Sequence, residues 1–162
     1  MDVFVRAGTQ FEFSFAQRLE KIPDLLVVTG FDLYSFKLKK TTQIDVLCWK
    51  GTNIFCFELK RFHTRIVGGF SDRIWRGTSG RRTYNIYNPV YQNTEHVRCL
   101  QRLFVTKDLK VNDFVWTHAV VVPSSCVIDC DIKYVWSDEK AITKVFESNG
   151  FRNEALLSQL WT

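Results

Sequence analysis

No apolar run in this 162-residue chain reaches the ~18 residues of a membrane span, which argues against a transmembrane helix. The opening Met1-Asp2-Val3-Phe4-Val5-Arg6 has no basic segment followed by an apolar stretch, so no signal peptide is expected. Internal repeats, low-complexity tracts and linkers are also missing, and the length reads as one domain, 1–162. Five cysteines cannot all pair, and Cys48 and Cys56 lie inside apolar runs. Reduced, buried thiols in a cytoplasmic protein fit that pattern better than a disulfide framework. Cys126-x-x-x-Cys130 has no second pair at zinc-ligand spacing, and the nearest histidine is His118, so no structural zinc is expected.

What is present is a chain that is 46% hydrophobic and 15% aromatic, ample for a buried core. The net charge of +5 is unevenly spread. From Lys60 to Arg82 there are seven basic residues (Lys60, Arg61, Arg65, Arg73, Arg76, Arg81 and Arg82) and one acid, Asp72. A local basic surface suits a phosphodiester partner, although a charge run is more often a solvated loop.

That basic stretch directly follows the segment Gln43 to Lys60, where two apolar runs flank Lys50-Gly51-Thr52-Asn53. Glycine at the first central position fits a type II′ hairpin with Gly51-Thr52 as its loop. Lys50 then pairs with Asn53, Trp49 with Ile54 and Asp45 with Glu58. Directly opposed side chains share a face, with Cβ atoms ~5 Å apart. Lys60, two residues beyond Glu58, shares that face too. Two carboxylates and one ammonium thus gather on a hairpin that is otherwise apolar on both faces. Like charges there repel, and a divalent cation offsets the repulsion; Mg²⁺ typically takes one or two carboxylates and fills its shell with water and phosphate oxygens. The plainer reading is an ion pair of Lys60 with Glu58 or Asp45, which does not require the second acid.

Elsewhere, Thr9 to Leu19 reads as a helix on Phe11, Phe15, Ala16 and Leu19, with Thr9 and Glu12 forming a capping box; an inward, active-site role for Glu12 is weighed equally. Leu25 to Val28 and Phe31 to Leu38 read as strands split by a Thr29-Gly30 turn. Arg65 to Phe70 and Arg73 to Arg76 suggest a small hairpin, Gly77 to Arg82 an exposed loop, and Thr83 to Tyr87 a strand. Asn88-Pro89 opens a helix running to about Phe104. On it Gln92 and His96 share a face, His96 reading as a surface polar residue. Phe114 to Val122 and Ile132 to Trp136 are strands; helices follow from Ser137 to Asn149-Gly150 and from Asn153 to Trp161. Helices around one sheet give a three-layer α/β or α+β fold.

Gly8-Thr9-Gln10-Phe11-Glu12, Gln43-Ile44-Asp45, Phe57-Glu58-Leu59-Lys60 and Asn88-Pro89-Val90-Tyr91-Gln92, in that order, resemble the nuclease-related (NERD) domain, of the PD-(D/E)-x-K restriction-endonuclease-like group. The resemblance covers about residues 8–122 and leaves a C-terminal strand and helices, 123–162, outside the motifs. The family's usual glycine before the first glutamate is Phe11 here, a departure that bears on helix packing rather than on the carboxylate. The resemblance implies a restriction-endonuclease-like core with a central mixed sheet flanked by helices. It implies a Mg²⁺- or Mn²⁺-dependent nuclease, with DNA favoured over RNA as substrate. Asp45, Glu58 and a backbone carbonyl near Leu59 would hold the metal, and Lys60 would position or deprotonate the attacking water. Glu12 would orient water and Gln92 contact water or phosphate. Arg61, Arg65, Arg73, Arg76, Arg81 and Arg82 would bind nucleic acid. Nucleases of this fold often act as dimers, so a homodimer is one arrangement. Competing readings are a non-catalytic nucleic-acid-binding module that kept the fold, and a structural domain with a buried ion-pair network. The complete Asp45/Glu58/Lys60 set favours catalysis.

Overall fold

The Gly51-Thr52 loop joins β2 (Lys40–Lys50) to β3 (Asn53–Leu59) with Lys50 opposite Asn53 and Trp49 opposite Ile54, the register expected. Gly51 has φ of +61° and Thr52 does not have positive φ, as a II′ turn requires. The structure is a computed structural model and describes residues 7–131 and 133–161. Met1 to Arg6, on which the signal-peptide expectation rests, lie outside them, as does Ile132.

β3 is buried along almost its whole length, so both of its faces are covered. It forms the middle of a five-stranded mixed sheet in the order β1-β2-β3-β7-β9, where β1 is Leu26–Ser35, β7 Val115–Val122 and β9 Val135–Ser137. β1 and β2 run antiparallel to their neighbours, whereas β3, β7 and β9 are mutually parallel. α1 (Ala7–Glu20) and α3 (Asp138–Glu147) cover one face, where Phe15, Leu19, Ala141 and Val145 pack on Val46, Phe55, Phe57 and Val121. α2 (Pro89–Thr106) and α4 (Glu154–Trp161) cover the other through Val97, Leu100, Phe104, Leu156 and Leu160 on Ile44, Leu47, Trp49 and Ile54. The result is an α+β core with a mixed sheet between helical layers, consistent with a restriction-endonuclease-like fold. Residues beyond the sequence motifs are integral to it, since β9, α3 and α4 complete the sheet and both helical layers.

Several local expectations change. The strands do not share one sheet: β4 (Arg65–Val67), β5 (Ile74–Ser79), β6 (Arg82–Tyr87) and β8 (Val127–Asp129) form a second one in the order β6-β5-β4-β8. Its inner face, with Ile66 and Trp75, packs on Val90, Val120 and Val135. Gly77 to Arg82 is therefore the β5–β6 hairpin rather than a loop, with Ser79 opposite Arg82 around Gly80-Arg81. β1 runs unbroken through Thr29-Gly30. α1 already includes Thr9, so Thr9 lies inside the helix rather than at its N-cap. Gly150 is not a left-handed helix end; it lies against the β2–β3 turn, where a Cβ would meet the Lys50 carbonyl at 2.7 Å. The Gly51 N–H donates to Phe151 O across the same contact at 2.8 Å.

Candidate active site

The site is built where β2 leaves its ladders. Pairing of β1 with β2 runs from Thr29 opposite Val46 to Phe31 opposite Ile44, passing over Gly30 and Asp45. Pairing of β2 with β3 stops at Val46 opposite Phe57, one step before Asp45 would meet Glu58. Gly30 has φ of +64°, a conformation that glycine adopts without the steric cost other residues meet. The distortion resets the side-chain alternation: Leu47 and Trp49 face the α2 layer, and so does Ile44, three residues from Leu47. Freed from both ladders, the Asp45 side chain reaches across to β3, where Oδ2 accepts the Leu59 N–H at 2.8 Å.

Glu58 follows the regular alternation of β3 and points to the α2 side, 4% exposed. Its carboxyl lies near enough to Asp45 for each to influence the other's ionisation. Lys60 Nζ lies 3.3 Å from Glu58 Oε1, and His96 Nδ1 lies 3.5 Å from Glu58 Oε2. His96 is itself buried, and its Nε2 is 2.8 Å from Thr42 Oγ1. Burial, then the Lys60 charge, push the imidazole down to about 4, so it is neutral and its contact with Glu58 is not an ion pair. From the opposite layer α1 brings Glu12, half-buried and within the field of Asp45 and Lys60.

Electrostatics follow from this crowding. Burial, then the Asp45 charge, push Glu58 up to about 8, with Lys60 working the other way. Asp45 is raised by burial, against the Leu59 N–H and Lys60. Glu12 is raised by burial and then by Asp45, and lowered by Lys60. Three carboxyls and one ammonium are thus held where their charges are poorly solvated. Among the described residues, the buried Glu58 Oε2 and His96 Nδ1 have no hydrogen-bond partner. Among the described residues no three His, Cys, Asp or Glu side chains close on one point as a metal cage. Two hard carboxylates with an unpartnered oxygen suit a cation that keeps much of its water, as Mg²⁺ does. The residues present therefore fit such an ion.

Gln92 is exposed on the first turn of α2 and lines, with Lys60, a cavity of about 540 Å³. The helix start that fixes it is the expected one: Asn88 Oδ1 accepts the Val90 and Tyr91 N–H groups at 3.0 and 3.3 Å, and Pro89 stands at the first position. Arg61, Arg65, Arg73, Arg76, Arg81 and Arg82 are all exposed. Arg65 pairs with Asp129 at 3.6 Å, a solvent-exposed contact of little energetic weight. Cys126 and Cys130 are free thiols pushed up to about 11 by burial and hydrogen-bonded to backbone carbonyls, unlike zinc ligands.

The sequence reading missed two residues here. His96 is buried rather than on the surface. Asn93, also buried, donates from Nδ2 to Cys56 O at 3.1 Å and Ala119 O at 3.2 Å, tying α2 to β3 and β7. Helical spacing carried the signal: Asn93, His96, Val97, Leu100 and Phe104 recur every three or four residues, on one stripe.

A family model described as the nuclease-related domain matches residues 7–124 of the chain. No curated protein and no solved structure matches it.

Proposed function

This chain belongs to the nuclease-related domain family, and we propose that it is a Mg²⁺- or Mn²⁺-dependent nuclease that hydrolyses phosphodiester bonds, with DNA the favoured substrate. The observation that carries the reading is half-buried Asp45 beside buried Glu58, with Lys60 3.3 Å from Glu58 and Glu58 Oε2 unpartnered among the described residues. Asp45, Glu58 and the Leu59 carbonyl would hold the cation, which acidifies water and offsets phosphate charge when bound. The Lys60 side chain, 24% exposed, contacts Glu58 and lines the cavity. It is placed to hold an attacking water and to stabilise the extra negative charge of the pentacovalent phosphorus. Glu12, with a raised proton affinity, is placed to orient water from the α1 side. Gln92, which lines the same cavity as Lys60, would donate to a phosphate oxygen. Among the described residues no helix is long and apolar enough to cross a membrane.

The test is a cleavage panel of single-stranded, double-stranded and branched DNA and of RNA, with Mg²⁺, Mn²⁺ or EDTA. Cation-dependent cutting of at least one substrate is expected. Binding without cutting in any lane would reassign the chain to a non-catalytic nucleic-acid-binding module.

Two further outcomes follow from the same cluster. The Glu58 carboxyl holds its proton to about pH 8, above its ordinary 4.5, so neutral Glu58 favours the folded state at low pH and that contribution is lost as pH rises toward 8. A cation must displace that proton, so Mg²⁺ affinity rises with pH below about 8, by up to roughly tenfold per unit for one proton. Calorimetry at stepped pH reads it; a flat profile would show that Glu58 does not ligate. At the β5–β6 turn, charge reversal of Arg81 and Arg82 weakens nucleic-acid binding and flattens its salt dependence by roughly two phosphate contacts. Fluorescence anisotropy over a salt series measures both quantities. Unchanged affinity and slope would make that turn ordinary solvated surface.

A further inference from the structure

The geometry points to an unpaired nucleic-acid strand, passing edge strand β6 with a base stacked on Tyr87, as the substrate form this site accepts; this rests on the nuclease reading. The groove beside β6 has two adjoining parts, the cavity shared by Lys60 and Gln92 and a second one of about 390 Å³, with Asn85 and Ile86 lining both. Tyr87 and Tyr84, three residues apart on this strand, stand on its opposite faces, and Tyr87 is the one beside the candidate active site. Tyr87 and Ile74 face each other across the β5–β6 ladder and line the first part; Tyr84, beside Phe62 at a ring distance of 6.2 Å, lines the second. Tyr87 is 69% and Tyr84 45% exposed, so neither ring is spent on the core. The charged residues lining the groove are Lys60 and Arg61, and neither part is lined by an acid.

Charge alone would serve a duplex, whose outside is phosphate and whose base faces are hidden in the stack. Exposed rings interleaved with cations serve a strand whose bases are splayed, since every base offers a π-face to an aromatic side chain. β6 is also the outer strand of its sheet, so among the described residues it borders the groove with a backbone edge that no neighbouring strand covers. The shared chemistry is the unpaired nucleotide; the 2′-hydroxyl separates its two sources, DNA and RNA.

The experiment uses the full chain in EDTA, so that binding is read without cutting. Labelled single-stranded DNA, the RNA of the same sequence and the corresponding DNA duplex are titrated by fluorescence anisotropy. Tyr87→Ala is expected to weaken single-strand binding about 5- to 100-fold, Tyr87→Phe to restore it, and the salt slope to stay constant, because a lost stack releases no counterions. Duplex affinity stays within about twofold. Equal losses on single strand and duplex, or no loss on either, overturn the assignment. Its failure is separable from that of the nuclease reading. If Tyr87→Ala changes nothing while the wild type cuts with Mg²⁺, the groove assignment falls alone. If single strands bind through Tyr87 and nothing is cut under any cation, the groove stands and the nuclease reading falls.

Discussion

Lys60→Ala abolishes cleavage while the protein still binds Mg²⁺. The ammonium lies 3.3 Å from Glu58 Oε1 and lowers the proton affinity of Glu12, Asp45 and Glu58 together. While protonated it offers no lone pair to a metal, and its charge repels one. Removing it has two opposed effects on cation binding: the repulsion goes, but Glu58 holds its proton more tightly. Only at a pH above the variant's Glu58 pKa, which without Lys60 lies higher than the wild-type value of about 8, does the proton cease to compete, and there the variant binds Mg²⁺ as well as or better than wild type. The water and the phosphorane have lost their partner under all conditions. One such electrostatic contact is typically worth ~100- to 1000-fold in rate. Calorimetry and single-turnover cleavage on the same preparation separate the two effects. Wild-type cutting by Lys60→Ala would make Lys60 a structural partner of Glu58.

Asp45→Asn removes both metal binding and cleavage, and it does so without unfolding the site. The asparagine carbonyl can still accept the Leu59 N–H that Asp45 Oδ2 now accepts at 2.8 Å, so the local geometry is kept. The NH₂ group that replaces the other oxygen is a donor and turns a ligand into a repulsive contact. Mg²⁺ affinity is expected to fall at least ~10-fold, since even outer-shell changes commonly cost that much. Stability moves the other way. Asp45 is itself a poorly solvated charge, and above about pH 8 it also repels the ionised Glu58, so the metal-free variant melts at or above the wild-type temperature. Thermal denaturation in EDTA checks this. A clear drop in melting temperature would mean that Asp45 is held there by favourable pairing, and that the carboxyl pair is a structural ion-pair network.

Much of this site was legible in the sequence because it hangs on one hairpin. Gly51-Thr52 dictates the turn, the turn dictates the register, and the register brings Asp45 toward Glu58 and Lys60. Asn88-Pro89 was equally readable, since both residues act through local backbone chemistry. What was hidden depends on partners distant in sequence. Gly30 looked like a turn; only its position opposite Asp45 makes it the kink that releases that residue from the ladder. Gly77 looked like part of a loop, yet it is a strand residue with no room for a side chain, where a Cβ would meet the Phe62 ring at 2.2 Å. Polarity suggested the surface for His96, but its helical spacing placed it in the core, and its role beside Glu58 depends on how α2 docks on β3.

The measurement that bears most directly on the whole reading is cleavage by wild type and Glu58→Gln, side by side, with Mg²⁺ and with EDTA. Glutamine keeps the shape of a residue that is 4% exposed but cannot ionise to hold a cation. The expected result is cutting by wild type with Mg²⁺, none with EDTA, and none by the variant in either condition. Equal cutting by the variant, or cutting that survives EDTA, would contradict a cation-dependent site at Asp45 and Glu58.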